Sequence, residues 1–256
     1  MVNLTIAIIL GFVAGWLVNY LSDVLPIQHK FARPTCSQCG ATFSWRNYFL
    51  VRACQECKHA RGPRTIIVLL AAIAISAAIS FNTPERLGYW ISLLILTYFG
   101  VVLVIDLEHR LILHIVSLAG AGIGLIAGIM ANGLLRTLIG GVSGFLIMWA
   151  LYLLGILFAR YRTRKMGRDD GEEALGFGDV TLSGVIGLMV GWPEVTRALF
   201  VAILVGGVSS VLMIIILVVT RRYQSMSVFT AYGPYLLIGA FLMIFFPQVA
   251  GIVMGK

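Results

Sequence analysis

The chain has 256 residues, a formal net charge of +8, 59% apolar residues and 12% charged ones. Soluble proteins average about 45–50% apolar and about 25% charged residues, so a soluble fold is excluded, together with the disordered, collagen-like and secreted disulfide-rich classes. The composition is that of an all-α integral membrane protein, a polytopic bundle of about eight transmembrane helices.

In chain order, apolar runs of about bilayer-spanning length fall near 3–21, 65–81, 89–105, 112–130, 134–159, 175–191, 196–219 and 231–253. Lipid offers backbone groups no hydrogen-bond partner, and the alternation of a β-barrel is missing, so each run is expected to be a helix. The first has no Lys or Arg before Lys30 and no small-x-small pattern at Val18-Asn19-Tyr20-Leu21, so it is expected to stay as an anchor, not to leave as a signal peptide. Gly120, Gly122, Gly124, Gly128, Gly206 and Gly207 are expected where helices pack backbone to backbone. The sixth run is the least regular, because Gly176 and Gly178 precede its apolar part. There is no internal repeat. The expected division is a first transmembrane helix (1–21), a cytoplasmic four-cysteine loop (22–64) and a seven-helix membrane core (65–256).

Cations orient these spans. Lys30, Arg33, Arg46, Arg52, Lys58, Arg61, Arg64, Arg110, Arg160, Arg162, Arg164, Lys165, Arg168, Arg221 and Arg222 fall on one side. Only Arg86, Arg136, Arg197 and Lys256 fall on the other. The first side is expected to be cytoplasmic, with both termini outside. The positive charge then reflects topology and anionic lipid, and no nucleic-acid motif accompanies it.

All four cysteines lie in the long loop, as Cys36-Ser37-Gln38-Cys39 and Cys54-Gln55-Glu56-Cys57. This double C-x2-C pattern is close to a zinc ribbon, with each pair on a tight turn and Gly40 suited to the first. Two disulfides are the alternative, disfavoured by a cytoplasmic loop. A four-thiolate site is coordinatively closed, so the expected ion is a structural zinc that shapes a loop with little core of its own. His59 is an alternative ligand, or an exposed neighbour.

Asp23, Glu56, Glu85, Glu194 and the run Asp169-Asp170-Gly171-Glu172-Glu173 fall in loops, where solvation explains them. Asp106 and Asp179 differ. Asp106 ends the third span and Asp179 begins the sixth, at similar depth on the same side. Two carboxylates meeting there can hold a water, one taking its proton while the other donates to a carbonyl oxygen. The plainer alternatives are an N-cap for Asp179 and an i,i+4 pair with Arg110 for Asp106. Gly176 and Gly178, flanking Phe177, would let a substrate strand approach. A helix N-terminus favours the charge of Asp179 and a C-terminus disfavours that of Asp106, so Asp179 is expected as base and Asp106 as acid. His109 and His114 lack the spacing of a metalloprotease pair and read as interfacial polar residues.

With these residues in view, the chain resembles the prepilin peptidases, the type IV leader peptidase family of membrane aspartic proteases. Cys36–Cys39 and Cys54–Cys57 with Trp45 between resemble its zinc loop. Asp106-Leu107-Glu108-His109-Arg110-Leu111-Ile112 resembles the segment of its first catalytic Asp, and Gly176-Phe177-Gly178-Asp179 that of its second. Tyr232-Gly233-Pro234 and Gly239-Ala240 resemble its last span. The resemblance implies an inner-membrane endopeptidase that cuts the basic leader from prepilin-like precursors at the cytoplasmic surface. It also implies, as a second activity, N-methylation of the new terminus with S-adenosylmethionine. The run 169–173 would attract the basic leader, or is simply a solvated loop.

The chain departs from the family pattern at Leu113 (usually Pro), at Thr181 (usually Lys) and in a shorter cysteine loop. Residues 60–66 also lack the family's Tyr-Pro and the Glu associated with methyl transfer. The competing class is an ion-coupled transporter with the aspartates as a proton relay, which predicts mid-membrane carboxylates and repeated halves. A third is an assembly protein whose metal loop docks a partner.

Overall fold

The computed structural model describes residues 2–36, 38–166, 176–219 and 232–248. Among them the only regular secondary structure is α-helix, with one isolated bridge between Thr35 and Thr42. It divides into two compact units, Met1–Ile115 and Val116–Lys256.

In the first unit, α1 (Leu4–Gln28) packs on α3 (Arg64–Phe81) and α4 (Gly88–His109), with the short α2 (Trp45–Phe49) in the loop between α1 and α3. α1 starts at an Asn3 cap whose side chain accepts from the Thr5 amide at 3.1 Å. A Cβ on Gly11 would lie 2.7 Å from Ile73 Cα, so α1 and α3 touch backbone to backbone there. Two polar side chains of these helices find partners there, as an apolar surrounding demands. Ser76 donates to the Ala7 carbonyl at 2.6 Å, and Asn19 donates to the Gly15 and Thr65 carbonyls at 3.0 and 3.2 Å.

One expectation fails here. α1 does not stop near residue 21 but runs to Gln28, where His29 in the left-handed region closes it. Pro26 lies in the last turn, where a missing amide removes one intrahelical bond without breaking the helix. Asp23 is therefore a helix residue, not a solvated loop residue.

The second unit contains most of α5 (His114–Asn132), followed by α6 (Leu134–Met166), α7 (Phe177–Val190), α8 (Glu194–Val219) and α9 (Gly233–Phe245). α7 packs most closely on α6 and is buried on most sides. Gly140 and Gly187 face each other so closely that a Cβ on either would overlap the other's carbonyl oxygen. Of the glycines singled out in sequence, Gly124 and Gly128 meet α7 and Gly206 meets Tyr232 and Tyr235, while Gly122 and Gly207 meet nothing within 4 Å. The outer face of α6 exposes Leu135, Leu138, Val142 and Leu146, a surface suited to lipid.

Among the described residues an apolar helix lies within each expected span. α1, α3, α4, α5, α6 and α8 are long and apolar enough to cross a membrane, whereas α7 and α9 are shorter. At 1.5 Å per residue, the 14 residues of α7 reach about 21 Å, short of the about 30 Å hydrocarbon thickness. Gly176 in extended conformation and Gly191 at φ +78° delimit it, and the neighbouring helices cover it. The acidic run 169–173 and Arg168, Arg221, Arg222 and Lys256 lie outside the described residues.

Candidate metal centre and active-site residues

The four cysteines converge. Their Sγ atoms all lie within 4.8 Å of one another, with Cys36 to Cys57 at 3.5 Å and Cys39 to Cys54 at 3.6 Å. A tetrahedral ion with bonds of about 2.3 Å requires sulfurs about 3.8 Å apart, so the set fits a four-thiolate ion. Each pair sits on the same kind of turn. The Cys36 amide donates to Ala41 O at 2.8 Å and the Gly40 amide to Cys36 O at 2.9 Å. Likewise the Cys54 amide donates to His59 O at 3.0 Å and the Lys58 amide to Cys54 O at 2.9 Å. Gly40 and Lys58 hold equivalent positive-φ positions. His59 thus serves the site through its carbonyl, and among the described residues the metal-ligating cluster consists of the four cysteines alone.

Backbone amides also prepare the thiols. Those of Cys39 and Gln38 hold Cys36 down at about 6, and those of Cys57 and Glu56 lower Cys54. Cys39 is pushed up to about 12, because burial and the neighbouring thiols outweigh the Ala41 amide. Cys57 is raised as well, burial and the Cys36 and Cys54 thiols prevailing over the His59 amide.

The loop has more core than its composition suggests. Tyr48 of α2 is 1% exposed and clusters with Trp16 and Leu69, with Tyr20, Phe43 and Val51 packed around them. Beneath this cluster lies a charge network that the sequence did not reveal. Asp23 Oδ2 accepts from Tyr48 Oη at 2.5 Å and from Arg61 Nη2 at 2.6 Å, while Oδ1 accepts from Arg64 Nη2. Arg64 Nη1 donates to Glu108 Oε2 at 2.5 Å. Arg61 also stacks 4.0 Å above the Tyr48 ring. Burial, reinforced by Asp23, pushes the Tyr48 phenol well above its ordinary value, so it remains a donor. The only signal in the sequence was the clustering of Arg61 and Arg64 at the start of α3.

The two aspartates are both buried. Asp106, 4% exposed, lies in the last turn of α4, where its carbonyl accepts the amide of Arg110, a residue in the left-handed region. Asp179, 8% exposed, lies in the first turn of α7, and its Oδ2 accepts the Gly176 amide at 3.3 Å. Gly176 is therefore the N-cap and Asp179 the third helical residue, reaching back to it. Thr181 donates to Gly178 O at 2.8 Å and meets Ser117 Oγ at 3.3 Å. His109 and His114 are exposed at helix ends, as expected of interfacial residues.

These features define a multi-pass α-helical membrane protein with a four-thiolate module after its first helix and a buried aspartate at each of two helix ends. Residues 90–211 match the model of the type IV leader peptidase family. The prepilin leader peptidase/N-methyltransferase of Pseudomonas aeruginosa is 28% identical over 220 residues, covering 81% of this chain and 69% of that protein. That of Aeromonas hydrophila is 26% identical over 233 residues, covering 86% and 73%. That of Pseudomonas putida is 24% identical over 275 residues, covering 94% and 90%. By these matches the chain is similar to the type IV leader peptidase family over residues 90–211. No solved structure matches it.

Proposed function

We infer that this protein is a membrane aspartic endopeptidase that removes the basic leader from prepilin-like precursors, with Asp106 and Asp179 as its catalytic pair. The observation that carries the reading is that both aspartates are buried at helix ends inside the matched segment. α5 and α6 separate them, so if each crosses once, the end of α4 and the start of α7 return to the same membrane face. The excess of Lys and Arg on that face supports the cytoplasmic side of an inner membrane. A precursor whose hydrophobic helix lies in the bilayer would present its leader junction at that depth.

In the proposed reaction the two carboxyls act on one water. Asp179, in the first turn of α7, takes a proton from that water as its oxygen attacks the scissile carbonyl. Asp106 donates its proton to the carbonyl oxygen. Collapse of the tetrahedral intermediate then returns a proton to the departing amine. Gly176 and Gly178 would admit a substrate strand, and nothing lies nearer than 3.6 Å to a Cβ built on Gly176.

Cys36, Cys39, Cys54 and Cys57 would hold a structural zinc, which folds the loop and takes no part in hydrolysis. The relatives' names carry N-methylation as well, and that supports S-adenosylmethionine-dependent methylation of the new terminus as a second activity. Neither the family match nor the relatives' names favour a transporter.

The test is incubation of the detergent-solubilised protein with a pilin-type precursor and mass determination of the product. Cleavage at the leader junction, lost in Asp106→Asn and in Asp179→Asn, is the expected result. Full cleavage by either variant removes that residue from the mechanism. A product heavier by one methyl group establishes the second activity, and an unmethylated product in the presence of S-adenosylmethionine refutes it.

A further inference from the structure

The charge network in the first unit ends two residues from Asp106. Asp23, on α1, saturates both carboxylate oxygens with donors from α2, the segment after the second cysteine pair and the start of α3. Arg64 then uses its other terminal nitrogen to hold Glu108 in the last turn of α4. One guanidinium thus bridges carboxylates on two helices. Its planar fork fixes the approach of both, which a flexible ammonium would not.

Energy argues against a mainly stabilising role for the outer half of this bridge. The Arg64 and Glu108 side chains are 25% and 37% exposed and line a cavity of about 250 Å³ together with Asp23, Arg61 and His59. Pairs exposed to this degree contribute about 0–1 kcal/mol. Alignment is a different matter. α4 ends at His109, Arg110 adopts a left-handed cap, and residues 110–113 are not helical. Helix ends fray, and Asp106 lies within the last hydrogen-bonded turn. A tether at Glu108 is about 3 Å along the axis from Asp106, on the turn whose fraying would displace it.

We infer that Arg64 and Glu108 are positioning residues, which clamp the last turn of α4 to α1 and the cysteine loop and so hold the Asp106 carboxyl in place. This rests on the assignment of Asp106 to the catalytic pair.

The test compares wild type, Arg64→Ala, Glu108→Ala and the double variant of the full chain in detergent. Cleavage kinetics of a pilin-type precursor are measured together with backbone amide exchange over residues 105–109. Each single variant is expected to lower kcat about tenfold to a hundredfold, the scale of a displacement of about 1 Å, with KM within about twofold. The double variant is expected to be no worse than the poorer single one, since both remove one clamp. Exchange over 105–109 is expected to quicken in all three. Wild-type exchange in the variants overturns the clamp whatever the activity. A change in KM with kcat unchanged also overturns it and makes the pair a substrate contact, and losses that multiply in the double variant overturn it as separate effects. If the wild type cleaves no precursor, the protease reading falls, while the exchange measurement still decides whether the pair holds the end of α4.

Discussion

Arg61 and Tyr48 share one acceptor: the guanidinium lies 4.0 Å above the phenol ring, and both groups donate to the same oxygen of Asp23. A residue from the far end of the cysteine loop and one from its middle are thereby fastened to a carboxylate inside α1. The loop is anchored by its own charges as well as by a metal site.

Removing that carboxylate has a defined effect. Asp23→Asn leaves the Arg61 charge, 9% exposed, without its ionised partner. Breaking fully buried pairs costs about 3–5 kcal/mol, and because Asp23 is 22% exposed the expected loss is smaller, about 2–3 kcal/mol. Tyr48→Phe removes one donor while both arginines remain, so about 1 kcal/mol is expected. Thermal unfolding in detergent checks the order. Equal stability of Asp23→Asn and wild type would show that the network is not anchoring the loop.

The cysteine site should bind one zinc per chain, and Cys36→Ser should weaken it strongly. Because Cys36 at about 6 and the lowered Cys54 are already predisposed to the thiolate, binding at neutral pH should release fewer than four protons. As pH falls through about 6, Cys36 takes up a proton and affinity should drop. Calorimetry in buffers of different ionisation enthalpy measures the number released. Release of all four would contradict the preparation of these thiols by backbone amides.

Packing of α6 on α7 should tolerate no added carbon at its closest point. Gly187→Ala should destabilise by at least about 1–3 kcal/mol, because the obstruction is the Gly140 backbone and not a movable side chain. Gly122→Ala, with nothing within 4 Å, should be neutral or slightly stabilising. Unfolding in detergent compares the two, and a well-tolerated Gly187→Ala would mean that the helices can separate without cost.

Gly176 separates folding from substrate access. A Cβ there meets nothing closer than 3.6 Å and φ is −81°, so Gly176→Ala should fold as wild type. If the glycine admits a substrate strand, the variant should cleave a precursor several-fold more slowly. Unchanged cleavage would confine Gly176 to its capping role.

Much of this protein was legible one residue at a time. Apolar runs fixed where the helices lie, since lipid leaves a spanning backbone few alternatives. The paired cysteines fixed a metal-ligating cluster, since each C-x2-C turn brings two sulfurs together by local geometry. Asp106 and Asp179 stood out because charge is scarce along the chain. What the sequence hid was non-local. Asp23 looked like a solvated loop residue, and only the extension of α1 to Gln28 and the approach of Arg61 and Arg64 made it the centre of a network. The contact of Gly140 with Gly187 was equally invisible, whereas Gly176 and Gly178 already marked the run that forms α7 as irregular. Periodicity and composition report which face of a helix avoids water. Ion pairs and backbone contacts between residues far apart in the chain depend on how the helices are brought together, and that is decided only when they pack.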